Sequence, residues 1–165
     1  MTTPTRKPNR IEGYDYSQNG AYFITICTQN RKRILSNITV GTPLPGCPHE
    51  PHIELLPYGE IADKYIRQMD VFYKDLSVDK YAIMPDHVHL LITIHGHPGT
   101  GVPTKRTSVI ARFVGTFKRF CNKEYSENIW QDRYYDHVVR NQADYNEIWE
   151  YIDGNPQKWI AKEQG

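Results

Sequence analysis

Two runs rich in β-branched and apolar residues, Leu76 to Ile83 and His87 to Ile94, are separated only by Met84-Pro85-Asp86. That spacing leaves room for nothing but a tight turn, so the chain doubles back here as a hairpin. Side chains alternate between the faces of a strand. Val88, Leu90, Ile92 and Ile94 therefore form one face of the second strand, while His87 and His89 project together from the other. Imidazole is the commonest protein ligand for metals, and two on one rigid face can hold a cation with positions left open for a substrate oxygen. The same spacing suits two half-exposed strand histidines that bind nothing, and the dipeptide pattern alone does not choose. A second such pair, His95 and His97, falls in a Gly/Pro loop with no rigid face behind it.

The rest of the chain reads as partners for this hairpin. Its 165 residues suit one domain spanning 1–165. Residues 1–19 lack apolar periodicity and carry Arg6, Lys7 and Arg10, which predicts a basic arm. Ala21 to Thr28 reads as a strand. Five prolines and two glycines between Ser36 and Pro57 predict a loop insertion over 36–57, with a short extended piece at His52 to Leu56, and Gly/Pro content predicts a second over 96–107. Helical spacing places helices at Tyr58 to Tyr73, at Ser108 to Glu124 behind a Ser108 cap, and at Ala143 to Ile152 with Gly154 and Pro156 ending it. Arg133 to Arg140 completes a fourth strand. The order β, α, β, β, α, β, α predicts an α+β fold of ferredoxin-like type, an antiparallel sheet with helices packed on one face. Three widely spaced cysteines and the lack of an apolar N-terminal or membrane-length run predict a cytoplasmic protein with no membrane partner.

On the last helix Tyr145, Ile148, Trp149 and Ile152 make one apolar stripe. Tyr151 sits on its flank, and Asn155 follows at i+4, on the same side if the helix persists. Asp153-Gly154-Asn155-Pro156 is also a good helix stop, so the two residues alone leave a purely conformational role open.

Taken together, Tyr81-Ala82-Ile83-Met84-Pro85-Asp86-His87-Val88-His89, then Ile129-Trp130-Gln131-Asp132-Arg133-Tyr134-Tyr135-Asp136-His137-Val138-Val139-Arg140, then Tyr151-Ile152-Asp153-Gly154-Asn155-Pro156 resemble the single-tyrosine HUH transposases. Within them the chain most resembles the REP-associated tyrosine transposases, from about Gly20 to Pro156. The resemblance implies a metal-dependent DNA strand transferase. Tyr151 would be the nucleophile, and His87, His89 and Asn155 would bind Mg²⁺ or Mn²⁺. In the wider superfamily a glutamine often stands where this chain has Asn155. The resemblance further implies a 5′-phosphotyrosine intermediate, single-stranded or hairpin DNA as substrate, and a homodimer as one assembly, with Tyr151 acting in its own subunit or across the pair.

The net charge of +1 does not announce a nucleic-acid binder, but between Lys105 and Arg140 eight basic side chains face four acidic ones. Lys118 and Arg119, then Arg112, Arg133, Arg140 and Arg10, are the expected DNA contacts, with Tyr134, Tyr135 and Trp130 available to stack on unpaired bases. Two other readings compete. One is a catalytically silent hairpin-DNA-binding protein. The other is a metal-dependent hydrolase that uses His87, His89 and a carboxylate such as Asp86 or Glu60, without a covalent intermediate.

Overall fold

The expected hairpin is the spine of the molecule. The computed structural model describes residues 19–40, 50–95 and 108–164, and in it β4 (Leu76–Ile83) and β5 (His87–Ile94) pair antiparallel across the Met84 to Asp86 turn. On its other side β5 pairs antiparallel with β1 (Gly20–Cys27), which sets Thr25 opposite His89 and Cys27 opposite His87. The short strand β6 (Tyr135–Val138) closes the sheet against β1, giving the order β4-β5-β1-β6. With its crossover helices this is the split βαβ arrangement of a ferredoxin-like α+β fold.

The two faces of the sheet carry different helices. Tyr22, Ile24 and Ile26 of β1 and Val88, Leu90, Ile92 and Ile94 of β5 join one core with Ala62, Ile66 and Met69 of α1 (Pro57–Phe72) and Ile110, Phe113, Val114, Phe117 and Cys121 of α2 (Val109–Tyr125). Both helices present apolar residues at three- and four-residue spacing to this face, and the Ser108 hydroxyl caps α2 by accepting from the Ala111 amide at 3.1 Å. These two helices share one face, as expected of the helices; the last helix does not. A third, α3 (Gln142–Gln164), lies on the opposite face, where Ile148 and Ile152 pack on Phe23, Ala82, Met84 and Leu91.

Two local expectations are corrected. Ser36 to Val40 is not loop: it forms β2 (Ser36–Val40), paired with β3 (Pro51–Leu55) as a separate two-stranded sheet. The prolines masked a short β-branched run, Ile38-Thr39-Val40, whose Ile38 packs under α3. Nor does α3 stop at Gly154. It runs through Pro156 to Gln164, although an internal proline costs about 3 kcal/mol by removing a backbone donor and crowding the preceding turn. Downstream anchors offset that loss. Trp159 packs beside the Phe23 and Ile152 cluster, the Arg33 guanidinium lies 5.1 Å from the Trp159 ring centre, and Arg33 makes a two-pronged pair with Glu163 at 2.7 and 3.0 Å. The expected arm with Arg6, Lys7 and Arg10, the 96–107 loop and His97 lie outside the described residues. Among those described, no helix is long and apolar enough to cross a membrane.

Candidate active site

Strand alternation turns His87 and His89 to the face covered by α3, and the register with β1 brings Thr25 and Phe23 alongside them. Their Nε2 atoms stand 3.0 Å apart. Two imidazole nitrogens about 2.1 Å from a single ion at a right angle would be separated by about 3.0 Å, so the pair already has the spacing of two ligands of one metal. The remaining ring nitrogens are both engaged: Nδ1 of His87 lies 2.5 Å from Asp86 Oδ1, and Nδ1 of His89 lies 2.8 Å from Thr25 Oγ1. Donation from each Nδ1–H leaves both Nε2 lone pairs free, the outer-shell support that metal-binding histidines ordinarily have.

The support extends outward. Asp86 Oδ2 is 3.1 Å from Arg31 Nε, and the Asp86 carbonyl accepts from the Thr28 amide and hydroxyl at 3.0 and 3.1 Å. Although burial opposes ionisation of Asp86, the hydrogen bond to His87 and the nearby Arg31 and Arg33 charges hold its carboxyl below the usual range. Burial, followed by the His87 and Arg31 charges, pushes the His89 imidazole down to about 3. His89 is therefore neutral, the form in which imidazole binds a metal. Among the described residues no group of three His, Cys, Asp or Glu side chains gathers.

Helix α3 lies over the histidine face. Because the helix continues through Pro156, Tyr151, Asn155, Lys158 and Trp159 follow at i, i+4, i+7 and i+8 and share one side. The Tyr151 ring lies 5.4 Å from the His89 ring and meets Phe23 edge-on at 5.9 Å, yet remains 41% exposed. Asn155 is buried, at 8% exposure, one turn on, and Trp159 lies 6.2 Å from the His87 ring. The helix is tied to the sheet by the Tyr145 hydroxyl donating to Asp79 at 2.8 Å, by Lys80 with Asp153 at 2.8 Å, and by His137 with Asp144 at 3.0 Å. Trp149, read as part of the apolar stripe, is instead 38% exposed beneath Lys80.

The family model described as Transposase IS200 like matches residues 16–155, from before β1 to Asn155. The chain belongs to the IS200-like transposases. A REP-associated tyrosine transposase of Escherichia coli K12 is 24% identical over 149 residues, covering 89% of this chain and 73% of that one. An uncharacterized protein of Haemophilus influenzae is 28% identical over 172 residues, covering 93% of this chain and 89% of its own. A solved REP-associated tyrosine transposase bound to a REP hairpin shares the fold, with a TM-score of 0.62 at 19% identity over 90% of this chain and 73% of that one.

In this transposase the expected DNA contacts do not gather around the histidines. Arg112, Lys118 and Arg119 ride on α2, across the sheet from them, and Arg133 and Arg140 flank β6 as exposed side chains. Arg10 lies outside the described residues. Lys118 is half-buried and donates to the Gln131 and Asp132 carbonyls at 2.6 and 3.4 Å; burial pushes its ammonium below the ordinary lysine value. Trp130 is wholly buried against Phe117. Sequence reasoning missed Thr25, Arg31, Phe23 and Trp159, and weighed Asp86 only as a ligand. The odd-position alternation of β1 was the one signal that could have placed Thr25 and Phe23 on the histidine face.

Proposed function

We propose that this transposase cleaves single-stranded DNA beside a hairpin by attack of Tyr151 on a backbone phosphate, with His87, His89 and Asn155 holding a divalent ion. The observation that carries the reading is the reachable Tyr151 ring lying against His89, whose Nε2 converges with that of His87. The hairpin part rests on the relative solved with a REP hairpin.

In the reaction, the Tyr151 hydroxyl oxygen forms a bond to phosphorus as its proton is lost, because a phenol is a poor nucleophile while protonated. The bond from phosphorus to the 3′ oxygen breaks, and that oxygen leaves as a 3′-hydroxyl after taking up a proton. The product is a 5′-phosphotyrosine whose energy lets another 3′-hydroxyl reverse the step, giving strand transfer without ATP. Bound Mg²⁺ or Mn²⁺ supplies positive charge to the phosphate oxygens. Imidazole donors lean towards Mn²⁺ and the amide oxygen suits either ion. Phe23 and Trp159 wall the site with apolar surface, which strengthens such charge interactions. Tyr151 beside His89 of its own chain favours cleavage within one subunit over exchange across a homodimer.

The hydrolase reading is disfavoured by the same geometry. Both Asp86 oxygens are engaged by His87 and Arg31, and Glu60 belongs to α1, on the other side of the sheet. Labelled hairpin DNA incubated with the protein and Mn²⁺ or Mg²⁺, then resolved on a denaturing gel, tests the proposal. A protein-linked band lost in Tyr151→Phe is the expected result. Free cleaved product without a linked band would restore the hydrolase, and intact DNA the silent binder.

A further inference from the structure

Two exposed side chains of different chemistry lie near Tyr151, Tyr135 on the sheet and Lys158 on α3. Tyr135 projects from β6, an edge strand, on the histidine face, where it pairs in register with Thr25. It is 46% exposed and meets Phe23 edge-on at 6.4 Å, on a ring that also meets Tyr151 edge-on at 5.9 Å. The other aromatic residues of this region are absorbed: Trp130 is wholly buried and Tyr134 packs on the core under α2. Beyond Tyr151, Lys158 Nζ lies 5.0 Å from the Tyr151 ring centre. Several basic side chains, Lys158 among them, form no ion pair among the described residues; Lys158 is the cation set against the Tyr151 ring.

An exposed aromatic ring and a cation on either side of one reactive side chain are the two elements by which proteins hold single-stranded nucleic acid without reading its sequence. We propose that Tyr135, Phe23, Tyr151 and Lys158 line a single-stranded DNA subsite, with an unpaired base stacked on Tyr135 and a backbone phosphate meeting Lys158. This deepens the proposed function and rests on Tyr151 being the residue that meets the strand. Phe23 is the spacer: its ring separates the two tyrosines and keeps a base on Tyr135 clear of the attacking oxygen. The subsite lies on the opposite face from the basic residues of α2, so single-stranded flank and hairpin would be held by different surfaces.

The test uses the full chain carrying Tyr151→Phe, so that cleavage does not intervene, and a mixed-sequence single-stranded oligodeoxynucleotide containing 5-iododeoxyuridine. Photocross-linking with peptide mapping is expected to mark Tyr135. Tyr135→Ala is expected to weaken binding about fivefold or more and Tyr135→Phe to restore it. Lys158→Met is expected to reduce the slope of log affinity against log salt by about 0.7, and Lys158→Arg to recover it. Cross-links that avoid Tyr135, or affinity unchanged in Tyr135→Ala, would overturn the subsite. Adduct formation by the unmutated protein on hairpin DNA is scored separately. An adduct without any Tyr135 effect removes the subsite alone, whereas a Tyr135 cross-link without any adduct removes the nucleophile and leaves the subsite standing.

Discussion

Asp86 and Thr25 give the histidine pair what neither ring has alone, a fixed orientation with both Nε2 atoms turned to one point. Outer partners of this kind are commonly worth 10- to 100-fold in metal affinity. Asp86→Ala and Thr25→Val are therefore each expected to weaken Mn²⁺ binding by about tenfold or more, read by electron paramagnetic resonance titration, with Asp86→Asn recovering part of the loss. Affinity equal to that of the unmutated protein would detach these residues from the proposed metal site. Lys118 and Arg119 separate in the same way. Because Lys118 Nζ serves the Gln131 and Asp132 carbonyls, Lys118→Ala is expected to lower unfolding stability by about 2 kcal/mol. Arg119→Ala, at an exposed position, should leave the denaturant midpoint nearly unchanged. The shared face of His87 and His89 was legible in the sequence because both sit on one strand whose period of two sets their direction. Asn155, by contrast, was placed beside Tyr151 only on condition that the helix persisted past its expected end. Thr25 was not legible, since its partner His89 is 64 residues away and only strand register joins them.

Elements were legible where a single period ran without interruption. The residue bounds of β4 and β5 are those expected, and α1 and α2 differ from expectation by about a residue. The failures share a cause: local breaker signals were outweighed by packing. Ile38 beneath α3 turned a proline-flanked segment into a strand, and Trp159 with the Arg33 and Glu163 pair carried α3 through Pro156. That continuation decides whether Asn155 faces the same way as Tyr151. Where α1 begins, Gly59 passes so close to the Leu35 carbonyl that an added methyl carbon would lie 1.9 Å from its oxygen. Gly59→Ala is expected to destabilise the fold by about 3 kcal/mol in a urea titration, since a hydrogen-bonded backbone cannot retreat. On α3, burial and the hydrogen bond to Asp79 push the Tyr145 hydroxyl up to about 12. A folded-state value above the ordinary 10 means that its contribution is complete below pH 10 and lost as pH rises through 12. Unfolding free energy should fall more steeply over that window in the unmutated protein than in Tyr145→Phe.

At the scale of the molecule, the sheet divides the work. One face is sealed by α1 and α2 into the larger core and the other is spanned by a single helix, so the histidines are fixed by strands while Tyr151 is brought to them by α3. The sheet's antiparallel order was legible in the succession of elements, but the face taken by the last helix was not, because an amphipathic stripe does not name its partner. This division makes the central claim sharp: the nucleophile is the tyrosine that α3 lays against His89, rather than the more exposed Tyr135 or the helix-anchoring Tyr145. The most direct measurement is digestion of the covalent protein-DNA adduct followed by tandem mass spectrometry of its tyrosine-containing peptides, among them those spanning Tyr134 to Arg140 and Asn141 to Lys158. The account predicts a nucleotide phosphate attached to Tyr151, and no adduct in Tyr151→Phe. Attachment at Tyr135 or Tyr145, or an adduct that survives Tyr151→Phe, would contradict it.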